Sequence, residues 1–213
     1  MDSAELKIVG IILAAGLSSR MGEVKSLLPW GESLLLDRVI ENAYQSKLAS
    51  LIVVLGYEAE RILEKINFKE SKVIINPDYS LGHSSSLRVG LDGVPLDTDA
   101  AMFLLGDQPF VTAKIIDIMI RAFQKRPSSL IIPTHQGKRG NPVVVHHSIF
   151  NMVKEITGDT GPRVLFRSLK KQIQEVEVFD PGIHFDIDTI EDYWKLTSYC
   201  EFDNLVKKSF EAN

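Results

Sequence analysis

The sequence predicts an α/β protein with a mainly parallel β-sheet and helices on both of its faces. Short apolar runs alternate along the chain with segments of helical periodicity, which is the pattern expected of such a sheet. The first apolar run passes directly into a stretch of small residues and cations. Because ligands of these folds bind beyond the carboxyl ends of the strands, that stretch is the first candidate for a site.

Three helical faces separate the predicted strands. Apolar residues spaced like one face of a helix follow Ser33 and Thr112, which are the predicted N-caps, and a third such face begins at Ala59. The late part of the chain, from Pro142 onward, is less regular and is expected to add antiparallel pieces. The predicted strands are Lys7–Leu13, Leu51–Leu55, Lys72–Ile75, Ala100–Leu105, Leu130–Ile132, Pro142–Val145 and Ile173–Phe179.

Length and composition indicate one globular domain over residues 1–213, and residues 195–213 are predicted to form a helical tail. The chain is 45% hydrophobic and 24% charged, which is ordinary for a globular protein with a packed core. Its net charge of −4 argues against a broad nucleic-acid-binding surface, although local positive charge in a pocket remains compatible with it.

Cysteine use and hydropathy bear on the compartment. Cys200 is the single cysteine, so an intramolecular disulfide is impossible and the cytoplasm is the simplest expectation. Acidic residues at Asp2 and Glu5 make the first ten residues a poor signal peptide. No apolar stretch approaches the ~18 residues of a membrane span, so no membrane association is predicted.

The stretch Leu13–Gly22, with Lys25 three residues later, has the character of a phosphate-binding turn. Small residues let a ligand approach the backbone, and Arg20 and Lys25 supply positive charge beside it. It is not a Walker A loop, because Glu23 and Val24 separate Gly22 from Lys25, and the G-x-G-x-x-G fingerprint is absent. The alternative is a buried strand that ends in an ordinary glycine turn with two surface cations.

Two acidic motifs are candidate metal ligands. Asp107 follows an apolar strand within Gly106–Pro109, where a carboxylate beside nucleotide phosphates would hold Mg²⁺. The alternative is that Asp107 only builds a turn. Asp186 and Asp188 are two residues apart in an extended segment and would share a face. Asp188 with Glu191 also fits a helix cap, so the choice of metal ligand stays open.

Three further motifs could contact substrates. Asn76-Pro77 and Gly82–Leu87 open a helix whose hydroxyl and N–H groups could contact a base or a sugar, unless they only cap that helix. Lys138–Pro142 and Gly158–Arg163 each place a cation beside glycine, which suits a second anionic substrate or an ordinary solvated turn. Pro162 suits a first helical turn, with Asp159 or Thr160 as its cap.

In their order along the chain, these motifs resemble those of nucleotidyltransferases with a glycosyltransferase-A-like, three-layer Rossmann-like fold, also called nucleotide-diphospho-sugar transferase-like. The resemblance covers residues 11 to about 194. Within that superfamily the set is most similar to the molybdenum cofactor nucleotidyltransferases, above all to the cytidylyltransferase branch. The guanylyltransferase branch typically carries Gly-Pro-Leu where this chain has Gly82-His83-Ser84, which favours CTP over GTP.

The resemblance implies a role for each motif. Arg20 and Lys25 would bind the triphosphate, and Asp107 would hold Mg²⁺ together with Asp186 or Asp188. The acceptor-binding residues would be Arg139, Asn141, Asp159 and Arg163. The nucleotide-binding residues would be Leu13, Ala14, Ala15, Gly16, Gly82, Ser85 and Ser86. The branch usually has His where Asn141 stands and Ala where Pro162 stands, so both departures fall on the acceptor side.

The implied reaction transfers CMP from CTP to the phosphate of molybdopterin and releases pyrophosphate, and an apo-molybdoenzyme is a possible partner. No covalent intermediate is needed, which agrees with the lack of an evident nucleophile in the sequence. Three alternatives stay open at this stage. They are a GTP-using guanylyltransferase, a cytidylyltransferase acting on a sugar or alditol phosphate, and a nucleotide-binding chaperone that delivers the cofactor without turnover.

Overall fold

The computed structural model describes residues 6–18 and 21–198. Its strands are β1 (Ile8–Ala14), β2 (Pro29–Trp30), β3 (Ser33–Leu34), β4 (Ser50–Leu55), β5 (Lys72–Ile75), β6 (Ala100–Leu105), β7 (Leu130–His135), β8 (Lys138–Arg139), β9 (Val143–His146) and β10 (Ile173–Glu177). Its α-helices are α1 (Leu35–Tyr44), α2 (Ala59–Lys65), α3 (His83–Asp92), α4 (Ala113–Lys125), α5 (Phe150–Lys154) and α6 (190–198). Short 3₁₀ helices cover Lys25–Leu27, Tyr79–Leu81, His147–Ile149, Pro162–Phe166, Lys170–Gln172 and Pro181–His184.

The main sheet has the strand order β10-β7-β9-β6-β1-β4-β5, and β8 pairs with β7 at its side. The first strand, β1, lies between β6 and β4 and is parallel to both. The antiparallel contribution expected after Pro142 is β9, which runs against β6 and β7. The last strand, β10, is parallel to β7. The predicted α/β fold with a mainly parallel sheet is therefore confirmed, and each predicted strand is present with small boundary shifts.

Side chains of β1 alternate between two hydrophobic cores, which shows that helices cover both faces of the sheet. Ile8 and Ile12 belong to the core formed with apolar residues of α1, α2 and α4. Val9 and Ile11 belong to the core formed with α3 and α5. A strand buried on both faces reads as a continuous apolar run, and each fully buried Ile or Val contributes about 1.5–3 kcal/mol. These cores give the fold its three layers.

The helix starts agree with the sequence in one case and differ in another. Thr112 caps α4 as predicted, because its hydroxyl accepts the backbone N–H of Ile115 at 3.5 Å. The prediction that Ser33 caps α1 is wrong. Ser33 lies in β3, and its hydroxyl donates to the carbonyl of Trp30. The N-cap of α1 is Leu34, whose N–H group is satisfied by the carboxylate of Asp37 at 3.3 Å.

The sequence predicts that Asp188 caps α6 together with Glu191, and this prediction is wrong. The capping residue is Thr189, one position later. Thr189 accepts the N–H of Asp192 at 3.1 Å, and the Asp192 carboxylate accepts the N–H of Thr189 at 2.9 Å. This reciprocal pair is a capping box. Because Thr189 takes the capping position, the Asp188 carboxylate is free to point elsewhere.

Helix α6 is anchored by a third cluster of buried apolar residues. Tyr193 and Leu196 pack there with Trp30 from β2, and the Tyr193 hydroxyl donates to the carbonyl of Pro29 at 2.7 Å. The helical tail assigned to 195–213 overlaps α6 up to residue 198, and the rest of it lies outside the described residues. Helices in the described part of the chain lack the length and hydropathy needed to cross a membrane.

Candidate active site

A cavity of about 500 Å³ lies beyond the carboxyl ends of β1 and β6, which are parallel neighbours in the sheet. The two strand ends approach closely because Gly106 has no side chain. A Cβ atom there would lie 2.9 Å from the Cβ of Ala14. The cavity is lined by Leu13, Ala14, Ala15, Gly16, Leu17, Ser18, Lys25, Ser26, Tyr79, Ser80, Gly82, His83, Ser86, Leu105, Gly106, Asp107, Asp159 and Asp188.

The structure brings most of the predicted nucleotide-binding residues into this cavity. Leu13 to Gly16, Gly82 and Ser86 line it, although Ser85 does not. Ser85 is buried, and its hydroxyl donates to the carbonyl of Gly82 at 2.8 Å. Ser18 lies within the predicted phosphate-binding stretch, and its hydroxyl accepts the backbone N–H of Lys25 at 3.1 Å. Sequence reasoning missed Tyr79 and Ser80, which lie between Asn76-Pro77 and Gly82–Leu87 and carry no signal of their own.

Lys25 connects two of the predicted carboxylates. Its Nζ atom donates to Asp107 Oδ2 at 2.8 Å and to Asp188 Oδ1 at 3.0 Å. The Lys25 side chain is only 17% exposed and that of Asp107 23%, so water screens this pair weakly. Burial lowers the pKa of Lys25, but the two carboxylates raise it by more, so its pKa is above the ordinary value and it stays charged.

The second carboxylate oxygen of Asp107, Oδ1, can accept a contact from a ligand. Asp107 Oδ1 is buried and has no hydrogen-bond partner among the residues of 6–18 and 21–198. A buried carboxylate oxygen without a partner costs about 1–3 kcal/mol, so a ligand that satisfies it is favoured. Arg20, the second cation predicted for the triphosphate, lies outside the described residues.

Asp186 is held by the buried side-chain amide of Gln108. The Nε2 group of Gln108 donates to Asp186 Oδ1, and the backbone N–H of Ile187 donates to the carbonyl of Asp107 at 3.1 Å. Desolvation raises the pKa of Asp186, the Gln108 hydrogen bond opposes it, and nearby Asp107 and Asp188 add to the rise. Asp188, rather than Asp186, is the carboxylate that lines the cavity.

A buried asparagine organises the start of α3 beneath the cavity. Asn76 is completely buried, and its Nδ2 group donates to the hydroxyls of Ser85 at 2.9 Å and Ser86 at 3.0 Å. Its Oδ1 atom accepts the N–H of Asp78 at 3.0 Å. The sequence motif pointed to this asparagine, and its bonds show that it connects the end of β5 to the first turn of α3.

The 158–159 turn closes the cavity over the start of α3. Ser84 N–H donates to the carbonyl of Gly158 at 3.2 Å, and His83 N–H donates to the Asp159 carboxylate at 3.3 Å. Gly82 has a φ of +100°, and a Cβ there would lie 2.6 Å from the carbonyl carbon of Gly158. Only glycine suits that position. Burial lowers the pKa of His83, although Asp159 and Asp107 oppose this effect.

The residues predicted to bind the acceptor do not meet at one place. Asp159 lines the first cavity, whereas Arg139 and Arg163 line a separate groove of about 570 Å³ together with Arg167 and Lys170. Asn141 lines neither, and its backbone N–H donates to the carbonyl of Ile183 at 3.1 Å. Sequence reasoning missed Arg167 and Lys170 because charged residues in an irregular segment are ordinarily solvated.

Arg139 already has partners within its groove. Its guanidinium donates to Glu175 Oε1 from Nε at 2.8 Å and from Nη2 at 2.5 Å, and it lies 5.1 Å from the centroid of the Phe166 ring. The 3₁₀ helix at Pro162 begins as predicted, with proline in its first turn. Its N-cap is Gly161, however, so the expected caps Asp159 and Thr160 are wrong. Asp159 instead binds the N–H of His83, and Thr160 donates to the carbonyl of Thr157.

The donor set of the cavity suits a phosphorylated ligand and a hard cation. Hydroxyls, backbone N–H groups and an ammonium can bind phosphate, and the carboxylates of Asp107 and Asp188 are oxygen ligands. Across the described ranges, no three or more His, Cys, Asp or Glu residues converge as a complete metal site. A divalent cation would therefore need further oxygens from the substrate, as is usual for Mg²⁺.

Comparison with known proteins agrees with this geometry. The family model described as the MobA-like NTP transferase domain matches residues 10–175. The molybdenum cofactor cytidylyltransferase of Escherichia coli is 34% identical over 184 residues, which cover 86% of this chain and 92% of that protein.

Solved structures give the same result. A protein from Mycobacterium sp. strain JC1, a homologue of a Mycobacterium tuberculosis protein, superposes with a TM-score of 0.83 at 32% identity, covering 90% of this chain and 96% of the other. The M. tuberculosis protein in complex with manganese superposes with a TM-score of 0.79 at 26% identity, covering 90% and 98%. The chain therefore belongs to the MobA-like NTP transferase family of nucleotidyltransferases, as the order of its motifs predicts.

Proposed function

We propose that this chain transfers CMP from CTP to the phosphate of a molybdopterin-type cofactor and releases pyrophosphate. The observation that carries this proposal is that the Lys25 ammonium lies between Asp107 and Asp188, beyond the carboxyl ends of β1 and β6. That arrangement places an ammonium group and two carboxylates beside a cavity of about 500 Å³. The name of the E. coli relative, a molybdenum cofactor cytidylyltransferase, supports the choice of nucleotide and acceptor.

The nucleotide occupies the first cavity. Backbone groups from Leu13 to Gly16 and the segment from Gly82 to Ser86 bind the base and the ribose, and Ser85 supports that segment by its bond to Gly82. Lys25 binds the triphosphate, and Arg20, five residues earlier in the sequence, is the second cation of this proposal. CTP is favoured over GTP because the chain carries Gly82-His83-Ser84 at the position that distinguishes the two branches.

The carboxylates fit a divalent cation, for which Mg²⁺ is the specific proposal. Asp107 Oδ1 is buried without a partner among the described residues, and Asp188 lies across the Lys25 ammonium from it. We assign these two residues as its ligands and Asp186, which is bound by Gln108, as their neighbour. The manganese complex of the M. tuberculosis protein supports the use of a divalent cation. Bound there, it would neutralise charge on the phosphate oxygens.

The chemistry is an in-line exchange at the α-phosphorus. A phosphate oxygen of the acceptor forms a bond to that phosphorus while the bond to the β-phosphate oxygen breaks, and pyrophosphate leaves with the electron pair. A phosphate monoester is largely a dianion at pH 7, so no general base is required. Alignment of two polyanions and neutralisation of their charge are the main tasks of the protein.

The acceptor binds beyond Asp159, toward the cationic groove. Arg163 lies in that groove and its charge acts on Asp186, which links the groove to the carboxylate side of the first cavity. Arg139 contributes through the same groove, where Glu175 fixes its guanidinium. Asn141 acts as a backbone support through its bond to Ile183. Delivery of the product to an apo-molybdoenzyme remains a prediction from the sequence.

Product identification tests the proposal. The purified chain is incubated with molybdenum cofactor, CTP and Mg²⁺, and the cofactor is then extracted and analysed by mass spectrometry. The expected product is a cofactor that has gained one CMP. Recovery of a GMP adduct from a GTP incubation, with none from CTP, would indicate a guanylyltransferase. An unmodified cofactor despite tight CTP binding would indicate the non-catalytic chaperone.

A further inference from the structure

We propose that Lys25 couples triphosphate binding to divalent-cation binding, because its ammonium group and the cation compete for the same carboxylate oxygens. This inference rests on the proposed function and concerns how its site is regulated. It follows from three features of the described residues: the contacts of Lys25, the charges that line the cavity, and the unpartnered oxygen of Asp107.

The ammonium group occupies the position between the two acidic residues. Lys25 Nζ lies 2.8 Å from Asp107 Oδ2 and 3.0 Å from Asp188 Oδ1. A metal cation that bridged these two oxygens would have to displace the ammonium group. The side chains of Lys25 and Asp107 are 17% and 23% exposed, so the repulsion between the ammonium and an incoming cation is only partly screened.

Apart from Lys25, the charged Asp, Glu, Lys and Arg side chains among the described residues of the cavity are all negative. Lys25 is the only lysine or arginine among the described residues that line it, whereas Asp107, Asp159 and Asp188 contribute three carboxylates. With Lys25 neutralised or moved away, these carboxylates attract a divalent cation, and Asp107 Oδ1 is already buried without a described partner. Lys25 therefore suppresses cation binding for as long as it stays between Asp107 and Asp188.

A triphosphate changes this balance. The lysine side chain is a flexible stem with a compact charge, so phosphate oxygens in the cavity can draw the ammonium away from the carboxylates. The oxygens of Asp107 and Asp188 then become available as the phosphates arrive. Because coupling between two sites is reciprocal, the cation raises the affinity for triphosphate by the same factor. The nucleotide-free protein binds the cation weakly, and cation and nucleotide enter together.

The test measures Mn²⁺ binding to the nucleotide-free full-length protein by electron paramagnetic resonance of free Mn²⁺. Lys25→Met and Lys25→Gln remove the charge at similar side-chain length, and Lys25→Arg keeps it as the matched control. The two neutral variants should bind Mn²⁺ about tenfold or more tightly than the wild type, within the range typical of coupled sites. Lys25→Arg should bind it as weakly as the wild type.

A second substitution locates the effect. Adding Asp107→Asn to Lys25→Met should abolish the gain, because it removes a proposed cation ligand. Unchanged or weaker Mn²⁺ binding by both neutral variants would overturn the coupling, as would a gain that survives the loss of Asp107. Two neutral variants are used so that one poorly folded protein, identified by its thermal unfolding, does not decide the result.

The experiment contains no nucleotide or acceptor, so it separates the two proposals. CMP transfer by the wild type together with unchanged Mn²⁺ binding by the neutral variants would defeat the coupling alone. Tighter Mn²⁺ binding by the neutral variants, lost with Asp107→Asn, would support the coupling even in a protein that failed to transfer CMP to molybdenum cofactor.

Discussion

Replacing Asp107 by asparagine should separate catalysis from folding. Asp107 stands at the end of β6, receives Lys25 Nζ at 2.8 Å through Oδ2, and buries Oδ1 without a partner in the described structure. Asparagine has nearly the same size, so Asp107→Asn leaves no cavity. It removes the negative charge that holds the divalent cation in the proposed reaction.

The structure sets the size of each effect. Loss of one preorganised electrostatic contact costs about 2.7–4 kcal/mol of transition-state stabilisation, or about a hundredfold to a thousandfold in rate. Folding loses less, about 1 kcal/mol, because Lys25 keeps Asp188 at 3.0 Å and the amide oxygen of asparagine can still accept a hydrogen bond from Lys25. For a chain of this length that corresponds to about 2–4 °C in the melting temperature.

The assay is pyrophosphate release from CTP with molybdenum cofactor, run beside thermal unfolding of the same preparations. Asp97→Asn is the control, because Asp97 precedes the same strand at its other end and forms an exposed ion pair with Lys7. Its rate should equal that of the wild type. Release by Asp107→Asn within a few-fold of the wild type would refute the assignment of Asp107.

Three further substitutions test the supports of the cavity. Gly82→Ala should destabilise the fold by about 1–3 kcal/mol in urea titration and weaken CTP binding, because φ is +100° and the new Cβ meets Gly158. Asn76→Ala leaves the hydroxyls of Ser85 and Ser86 without their donor, and should cost about 1–3 kcal/mol by the same measurement. His83 has a lowered pKa, so the unfolded chain binds its proton more tightly and stability falls as the pH drops below about 6.5. His83→Gln should flatten that part of the stability–pH profile, and an unchanged slope would contradict the burial argument.

The sequence predicted the sheet and the loops that form the site, because both depend on local patterns. Apolar runs and helical periodicities determine where strands and helices form, and parallel strands collect their carboxyl ends at one edge. This is why Leu13–Gly16 and Asp107 could be assigned to one site although they are far apart in the chain. Most of the residues proposed to bind the nucleotide line one cavity for the same reason.

Side-chain pairing could not be predicted in the same way. Lys25 and Asp188 are 163 residues apart, and Gln108 and Asp186 are 78 residues apart, so no spacing rule relates them. The predicted cap at Asp188 failed because Thr189 competes for the same helix end one residue later. Only the three-dimensional structure shows which carboxylate faces the cavity and which one faces Gln108.

The proposed acceptor side was the least predictable part of the site. Its motifs are cations and glycines in irregular segments, whose positions depend on the packing of neighbouring strands rather than on periodicity. Arg139 is therefore found in a groove with Arg167, fixed by Glu175 on β10, and away from the first cavity. Asn141 contributes a backbone hydrogen bond instead of a side chain directed at the cavity.

The choice of nucleotide and acceptor can be measured in one assay. The initial rate of pyrophosphate release is recorded with molybdenum cofactor and Mg²⁺ and compared among CTP, GTP and ATP at equal concentration. Release should depend on the cofactor and be fastest with CTP. Faster release with GTP, or equal release when a sugar phosphate replaces the cofactor, would show that this chain is not a cytidylyltransferase of a molybdopterin-type acceptor.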